Sequence, residues 1–161
     1  MAKVRKIMLA NVPTLKKEAR VRDAANLLAK ADTGCVVILE GNNPIGIVTE
    51  RDIVRNIGSK NIGMEGPLSK IMTSPVTFMT PNMKLDQALK IVDTKKFRKY
   101  PVVENNAMVG LITKKDIVNA ISDNLRLHRN IQNVVLVLFV LFEFFVFVIY
   151  SHVYQYLHFG A

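Results

Sequence analysis

One cysteine in 161 residues, Cys35, leaves no intrachain disulfide to brace a fold and fits a reducing compartment. The expected role of that thiol is a small buried strand residue. Histidine is scarce too: His128, His152 and His158 all lie in the C-terminal tail, so neither a Ser/His/Asp nor a Cys/His constellation can be assembled in the body of the chain. There is no CxxC, no His-x-x-x-His and no Walker loop, which leaves a metal or P-loop site without support. Asn-x-Ser/Thr is absent, and Met1-Ala2-Lys3-Val4-Arg5-Lys6 is not followed by the apolar run of a signal peptide, so the N-terminus is expected in the cytosol.

Acids are few beside bases: 13 Asp and Glu against 22 Lys and Arg, a formal charge of +9. The bases cluster at Lys3-Arg5-Lys6, Lys16-Lys17-Arg20-Arg22, Lys95-Lys96-Arg98-Lys99, Lys114-Lys115 and Arg126-Arg129. Such clusters attract nucleotides, nucleic acid or an anionic membrane surface, and composition does not separate the three. The plainer reading, solvated faces of amphipathic helices, covers Lys16, Lys17 and Lys90.

What is present is a repeat. Gly46-Ile47-Val48-Thr49-Glu50-Arg51-Asp52-Ile53-Val54 returns 64 residues later as Gly110-Leu111-Ile112-Thr113-Lys114-Lys115-Asp116-Ile117-Val118. Residues 6–57 overlay 70–121 without a gap and match at Lys6/Lys70, Met8/Met72, Val12/Val76, Ala24/Ala88, Glu40/Glu104 and Ile57/Ile121, among others. Each copy reads as an amphipathic helix (Val21–Ala31, Leu85–Val92), an apolar strand (Cys35–Leu39, Tyr100–Val103), a turn at Gly41-Asn42-Asn43-Pro44 or Asn105-Asn106, and a second strand (Ile45–Val48, Val109–Ile112). A closing helix follows (Glu50–Ile57, Lys114–Ser122). Asp32-Thr33-Gly34 stops the first amphipathic helix, and residues 3–11 form a lead-in or short helix.

Thr-x-x-Asp stands at each strand-to-helix junction. Its plainer role is a capping box, in which hydroxyl and carboxylate satisfy helix N–H groups. The same place offers unpaired N–H groups and the positive end of a helix dipole, which suit a phosphate.

Gly-h-h-Thr-x-x-Asp-Ile, the Tyr100-Pro101-Val102-Val103-Glu104 strand and the Ile71-Met72-Thr73 lead-in together resemble the cystathionine β-synthase (CBS) domain family over residues 3–124, and the duplication matches that family's tandem pairs. The resemblance implies an α/β (α+β) fold in which two β-α-β-β-α repeats pack pseudo-twofold, with clefts that take adenosine-containing ligands. It also implies that Asp52 and Asp116 accept from ribose hydroxyls, that Thr49 and Thr113 face phosphate, and that residues near Val12-Pro13 and Val76-Thr77-Phe78 sandwich the base. A carboxylate is acceptor-only and suits a diol, whereas a hydroxyl can donate to phosphate. Arg51, Arg98, Lys99, Lys114 and Lys115 are placed to neutralise phosphates, with Tyr100 and Pro101 beside them. Phe97-Arg98-Lys99-Tyr100-Pro101 replaces the first copy's Thr33-Gly34-Cys35-Val36-Val37, so the second cleft is expected to be the more phosphate-friendly one. Asp52 and Asp116 are equivalent by the repeat, which argues for two copies of one binding role against a catalytic acid and base.

The tail is of another kind. From Val134 to Tyr150 the only charge is Glu143, and no Gly or Pro occurs between Gly110 and Gly160. A helix through Tyr154 would run about 30 Å, enough for a bilayer. Glu143 costs about 3 kcal/mol near the centre, which 15 Val, Leu, Ile and Phe residues at about −0.3 to −0.6 kcal/mol each outweigh. Arg126 and Arg129 precede the span and nothing basic follows it, so the repeats are expected in the cytoplasm, with Tyr150, Tyr154 and Tyr156 at the far interface. The competing readings are buried strands or a helix buried in an oligomer.

These observations give repeat 1 at 1–60, a linker at 61–67, repeat 2 at 68–124 and a transmembrane helix within 125–161. The expected function is non-enzymatic: a module that senses an adenine nucleotide without cofactor or metal, homodimerises through its repeats, and meets the lipid bilayer or a membrane-protein partner through its tail. The alternative is a basic nucleic-acid-binding protein with a membrane anchor.

Overall fold

The computed structural model describes residues 2–31, 33–60, 62–95 and 97–159, the side chains of 57–60, 124, 125, 128 and 151–159 excepted. Asp32, Lys96 and the side chains of His128, His152, His158, Tyr154 and Tyr156 therefore lie outside the described residues. The chain divides into two compact units, Met1–Asn119 and Ala120–Ala161.

In the first unit repeat 1 builds the full β-α-β-β-α order, and repeat 2 builds it with its first strand reduced to a single bridge. Repeat 1 gives β1 (Thr14–Lys16), α1 (Val21–Leu28), β2 (Cys35–Glu40), β3 (Asn43–Thr49) and α2 (Glu50–Lys60). Repeat 2 gives α3 (Leu85–Thr94), β4 (Lys99–Glu104), β5 (Ala107–Thr113) and α4, which begins at Lys114. Short 3-10 turns at Val4–Lys6 and Leu68–Lys70 precede them. Apolar spacing buries Val21, Ala24 and Leu28 of α1 and Leu85, Ala88 and Val92 of α3. Asp23 and Gln87 accept the Arg20 and Lys84 N–H groups and hold the two helix starts. Both hairpins carry a register shift at equivalent points, between Ile38 and Leu39 and between Val102 and Val103. Asn105 and Asn106 turn the second hairpin with positive φ (50° and 60°), a conformation asparagine tolerates.

The sheets differ in one strand. In repeat 1, β1 runs parallel to β2, and the Val37 N–H donates to the Pro13 carbonyl at 3.0 Å. In repeat 2 the residue equivalent to Val37 is Pro101, which has no N–H, and only an isolated parallel bridge, Met79 to Val102, remains. β4 and β5 thus form a two-stranded sheet beside the three-stranded β1-β2-β3.

The repeats are joined by exchange of their lead-ins. Leu9 and Leu111 form a two-way backbone pair (2.8 and 2.9 Å), and 64 residues on, Thr73 and Ile47 form the same pair (2.9 and 3.1 Å). Val4 N–H donates to the Met83 carbonyl as Leu68 N–H donates to that of Ala19. Leu68 and Ile71 accordingly sit in the core of repeat 1, with Val36, Ile38, Val48 and Ile53. A second apolar cluster, Cys35, Val37, Ile47 and Leu111, packs the sheets together. The exchange runs in both directions, which is the pseudo-twofold packing expected.

In the second unit the backbone is helical as part of α4, whose full range is Lys114–Phe159. Among the described residues it holds the one helix long and apolar enough to cross a membrane, Arg129–Tyr150, with mean hydropathy 2.6. Its apolar side chains are exposed.

Candidate functional site

Each β-to-α junction closes in the same way. The Thr113 N–H and hydroxyl both donate to Asp116 Oδ2, at 2.9 and 2.7 Å, and the Asp116 N–H donates to Thr113 Oγ1 at 3.2 Å. Thr49 and Asp52 repeat the pattern at 2.9, 2.6 and 3.4 Å. The capping role is therefore real in both copies. It engages one carboxylate oxygen, Oδ2, and among the described residues no hydrogen bond reaches Oδ1 of either carboxylate. The Lys114 N–H donates to the Arg98 carbonyl at 2.9 Å, so two of the first N–H groups of α4, those of Lys114 and Asp116, are taken. The Thr113 hydroxyl proton is engaged as well, and a phosphate at this junction would depend on cationic side chains more than on the helix end.

Above Asp116 lies a cavity of about 350 Å³ lined by Ile7, Met8, Leu9, Thr33, Leu111, Thr113 and Asp116. That size falls in the range of small-molecule pockets, about 300–1,000 Å³. Its walls come from both repeats, because the Leu9–Leu111 pair lays the first lead-in against β5. Close approach is possible because residue 110 is glycine: a Cβ there would stand 2.7 Å from the Leu9 carbonyl oxygen. Gly46 meets the Met72 side chain in the equivalent place.

Of the residues singled out from the sequence, Thr113 and Asp116 line this cavity. Lys99 reaches its edge: the ammonium donates to the carbonyl of Thr33, a lining residue, at 2.7 Å. Lys99 also approaches the Cys35 thiol, its counterpart in the repeat; burial pushes that thiol up, and Lys99 partly offsets the effect. Arg51, Arg98 and Lys115 are exposed, and Lys114 pairs with Asp93 at 3.6 Å. Tyr100 and Pro101 are buried in the sheet, and the Tyr100 hydroxyl donates to the Phe97 carbonyl at 2.9 Å. Burial, with Asp93 adding, raises that phenol above its ordinary range. Val12 and Val76 pack against the inter-sheet cluster, and Phe78 is half exposed. Thr49 and Asp52 hold their own junction on repeat 1.

Ile7, Met8, Leu9, Thr33 and Leu111 were not singled out as site residues. Read singly they are ordinary apolar and loop positions; Leu111 stands on β5 two residues before Thr113, whereas the exchange of lead-ins brings Ile7, Met8 and Leu9 to Asp116, and the loop before β2 brings Thr33. For Ile7 and Met8 the signal was the duplicated Lys-Ile-Met before each repeat, whose second copy packs on the core of repeat 1.

The CBS domain family model matches twice, at residues 4–59 and 68–123. The CBS domain-containing protein YhcV of Bacillus subtilis is 27% identical over 124 residues, covering 76% of this chain and 89% of that protein. A CBS-domain containing protein from Agrobacterium tumefaciens is similar in structure, with TM-score 0.63 and 28% identity over 74% of this chain and 98% of the other. A CBS domain protein from Pyrobaculum aerophilum, solved in complex with AMP, shares the fold with TM-score 0.63 and 24% identity, covering 71% and 89%.

Proposed function

The chain belongs to the CBS domain family as a tandem pair, and from that premise we propose that it is a regulatory module that takes an adenine nucleotide in the Thr113/Asp116 cavity while a C-terminal helix holds it in the cell membrane. The observation that carries the reading is the cavity itself, apolar along Ile7, Leu9 and Leu111 and ended by a carboxylate whose Oδ1 is open. A purine meets the apolar wall, and the ribose diol donates to Asp116. The phosphate then draws on Lys99 beside Thr33 and on the exposed Arg98 and Lys115. The AMP complex of the Pyrobaculum aerophilum protein supports the ligand class.

Thr113 contributes to phosphate only by releasing Asp116, so occupancy would loosen the cap at the start of α4. Binding transmits a signal in so far as it favours one arrangement of the repeats over another. The role is regulatory and non-enzymatic. The exposed valines at equivalent positions, Val54 on α2 and Val118 on α4, suit a homodimer through the closing helices. Arg129–Tyr150 spans the bilayer, with Arg126 and Arg129 leaving the repeats in the cytoplasm.

Calorimetry of the full chain in detergent against AMP, ADP, ATP and S-adenosylmethionine tests the ligand. Saturable binding of one or more, little weakened by salt, is expected. Affinity only for polynucleotides, falling steeply with log[salt], would overturn it in favour of nucleic-acid binding.

A further inference from the structure

The apolar span of α4 carries its polar side chains along one line. From Arg129, steps of three and four residues reach Gln132, Glu143 and Tyr150, with Leu136, Phe139 and Val146 filling the places between. Only Asn130 and Asn133, at the entry, are polar and off that line. Gln132 and Glu143 stand three turns apart, within about 20° of one face. This is the seven-residue spacing of a helix–helix seam, kept for the full length of Arg129–Tyr150. Glu143 is exposed and has no hydrogen-bond or ion-pair partner among the described residues. A solitary carboxyl in hydrocarbon is costly and calls for a partner.

We infer, resting on the membrane span proposed above, that α4 pairs in the bilayer with α4 of a second copy, parallel and along this line, with Glu143 against Glu143. Two copies that enter from the same side hold their carboxyls at one depth. Two facing carboxyls can share one proton, the one donating and the other accepting, so each partners the other. The Gln132 amide, donor and acceptor at once, pairs with its twin in the same way. No glycine or alanine lies on the line, so close right-handed packing is not available, and the left-handed seam of larger residues remains. A basic residue on an unrelated helix would also satisfy Glu143, but it would leave Gln132 and the seven-residue spacing without a use.

The test uses the full chain with Cys35→Ala, reconstituted in phosphatidylcholine vesicles and washed with alkaline carbonate. Single cysteines replace Leu136, Phe139 or Val146 on the line, and Val134, Leu141 or Val148 on the opposite face. Mild oxidation should give at least about fivefold more disulfide-linked dimer from the first set. Glu143→Leu should lower cross-linking at Leu136→Cys about fivefold to tenfold at high dilution in lipid, while Glu143→Gln, still able to pair with its twin, keeps most of it. Equal cross-linking on both faces, or no effect of Glu143→Leu, in a carbonate-resistant chain overturns the pairing and leaves the span standing. Extraction by carbonate overturns the span, and the pairing falls with it.

Discussion

The two Thr-x-x-Asp junctions have the same bonds, within a few tenths of an ångström, and different surroundings. Around Asp116 stand Thr33 and the lead-in Ile7-Met8-Leu9, with Lys99 at the edge. Around Asp52 the repeat would place Phe97 where Thr33 stands in the other cleft. Cys35 and Lys99 occupy equivalent positions, one a buried thiol, the other a cation bound to a carbonyl. Helix α2 ends at Lys60, whereas α4 continues to Phe159. The difference teaches that backbone closure copies with the motif, while the walls of a cleft are set by non-equivalent residues of both repeats, Thr33 and the lead-in from one and Lys99 from the other.

The largest expected effect separates the glycines. Gly110→Ala drives a Cβ against the Leu9 backbone carbonyl, which cannot rotate away, and should cost on the order of 2–3 kcal/mol in urea denaturation. Gly46→Ala meets the flexible Met72 side chain and should cost about 1 kcal/mol. Equal losses would mean that the exchanged lead-ins are held no more firmly in one cleft than in the other.

The next effect separates the carboxylates. Asp52→Ala and Asp116→Ala should each lose about 1 kcal/mol of stability, the worth of a cap. Asp116→Ala should in addition weaken nucleotide binding about tenfold to hundredfold, on the scale of a charged hydrogen bond of about 1.5–3 kcal/mol. If calorimetry finds Asp116→Ala binding as wild type while melting lower, the motif is only a cap.

The smallest concerns Cys35 and Lys99. Burial raises the thiol in the folded state, so the protonated form is favoured there; stability is full below the ordinary thiol value and declines as pH rises through it, about 8.5 and upward. Cys35→Ala should remove that decline from melting curves recorded between about pH 7 and 10. Lys99→Met, which removes the offsetting cation, should steepen it. A slope that neither substitution changes would place the alkaline loss elsewhere, with Tyr100 the next raised group.

The sequence by itself determined the repeat, the family, the element order and the cap. Each of these rests on local spacing: apolar periods of 2 and 3.6, turn residues at Gly41 and Asn105-Asn106, and Thr-x-x-Asp before an apolar helix. It also determined that Arg129–Tyr150 is long and apolar enough to span a bilayer, since length and composition decide that property. The tertiary structure alone decided where the cavity lies and which residues wall it. Ile7, Met8 and Leu9 reach Asp116 because a backbone pair joins Leu9 to Leu111, more than 100 residues away, and no local pattern records such a pairing. For the same reason Tyr100 and Pro101, legible as a strand entry, turned inward. Which face of a strand meets the core is fixed by register and by the sheet packed against it, and those are properties of the assembled pair of repeats.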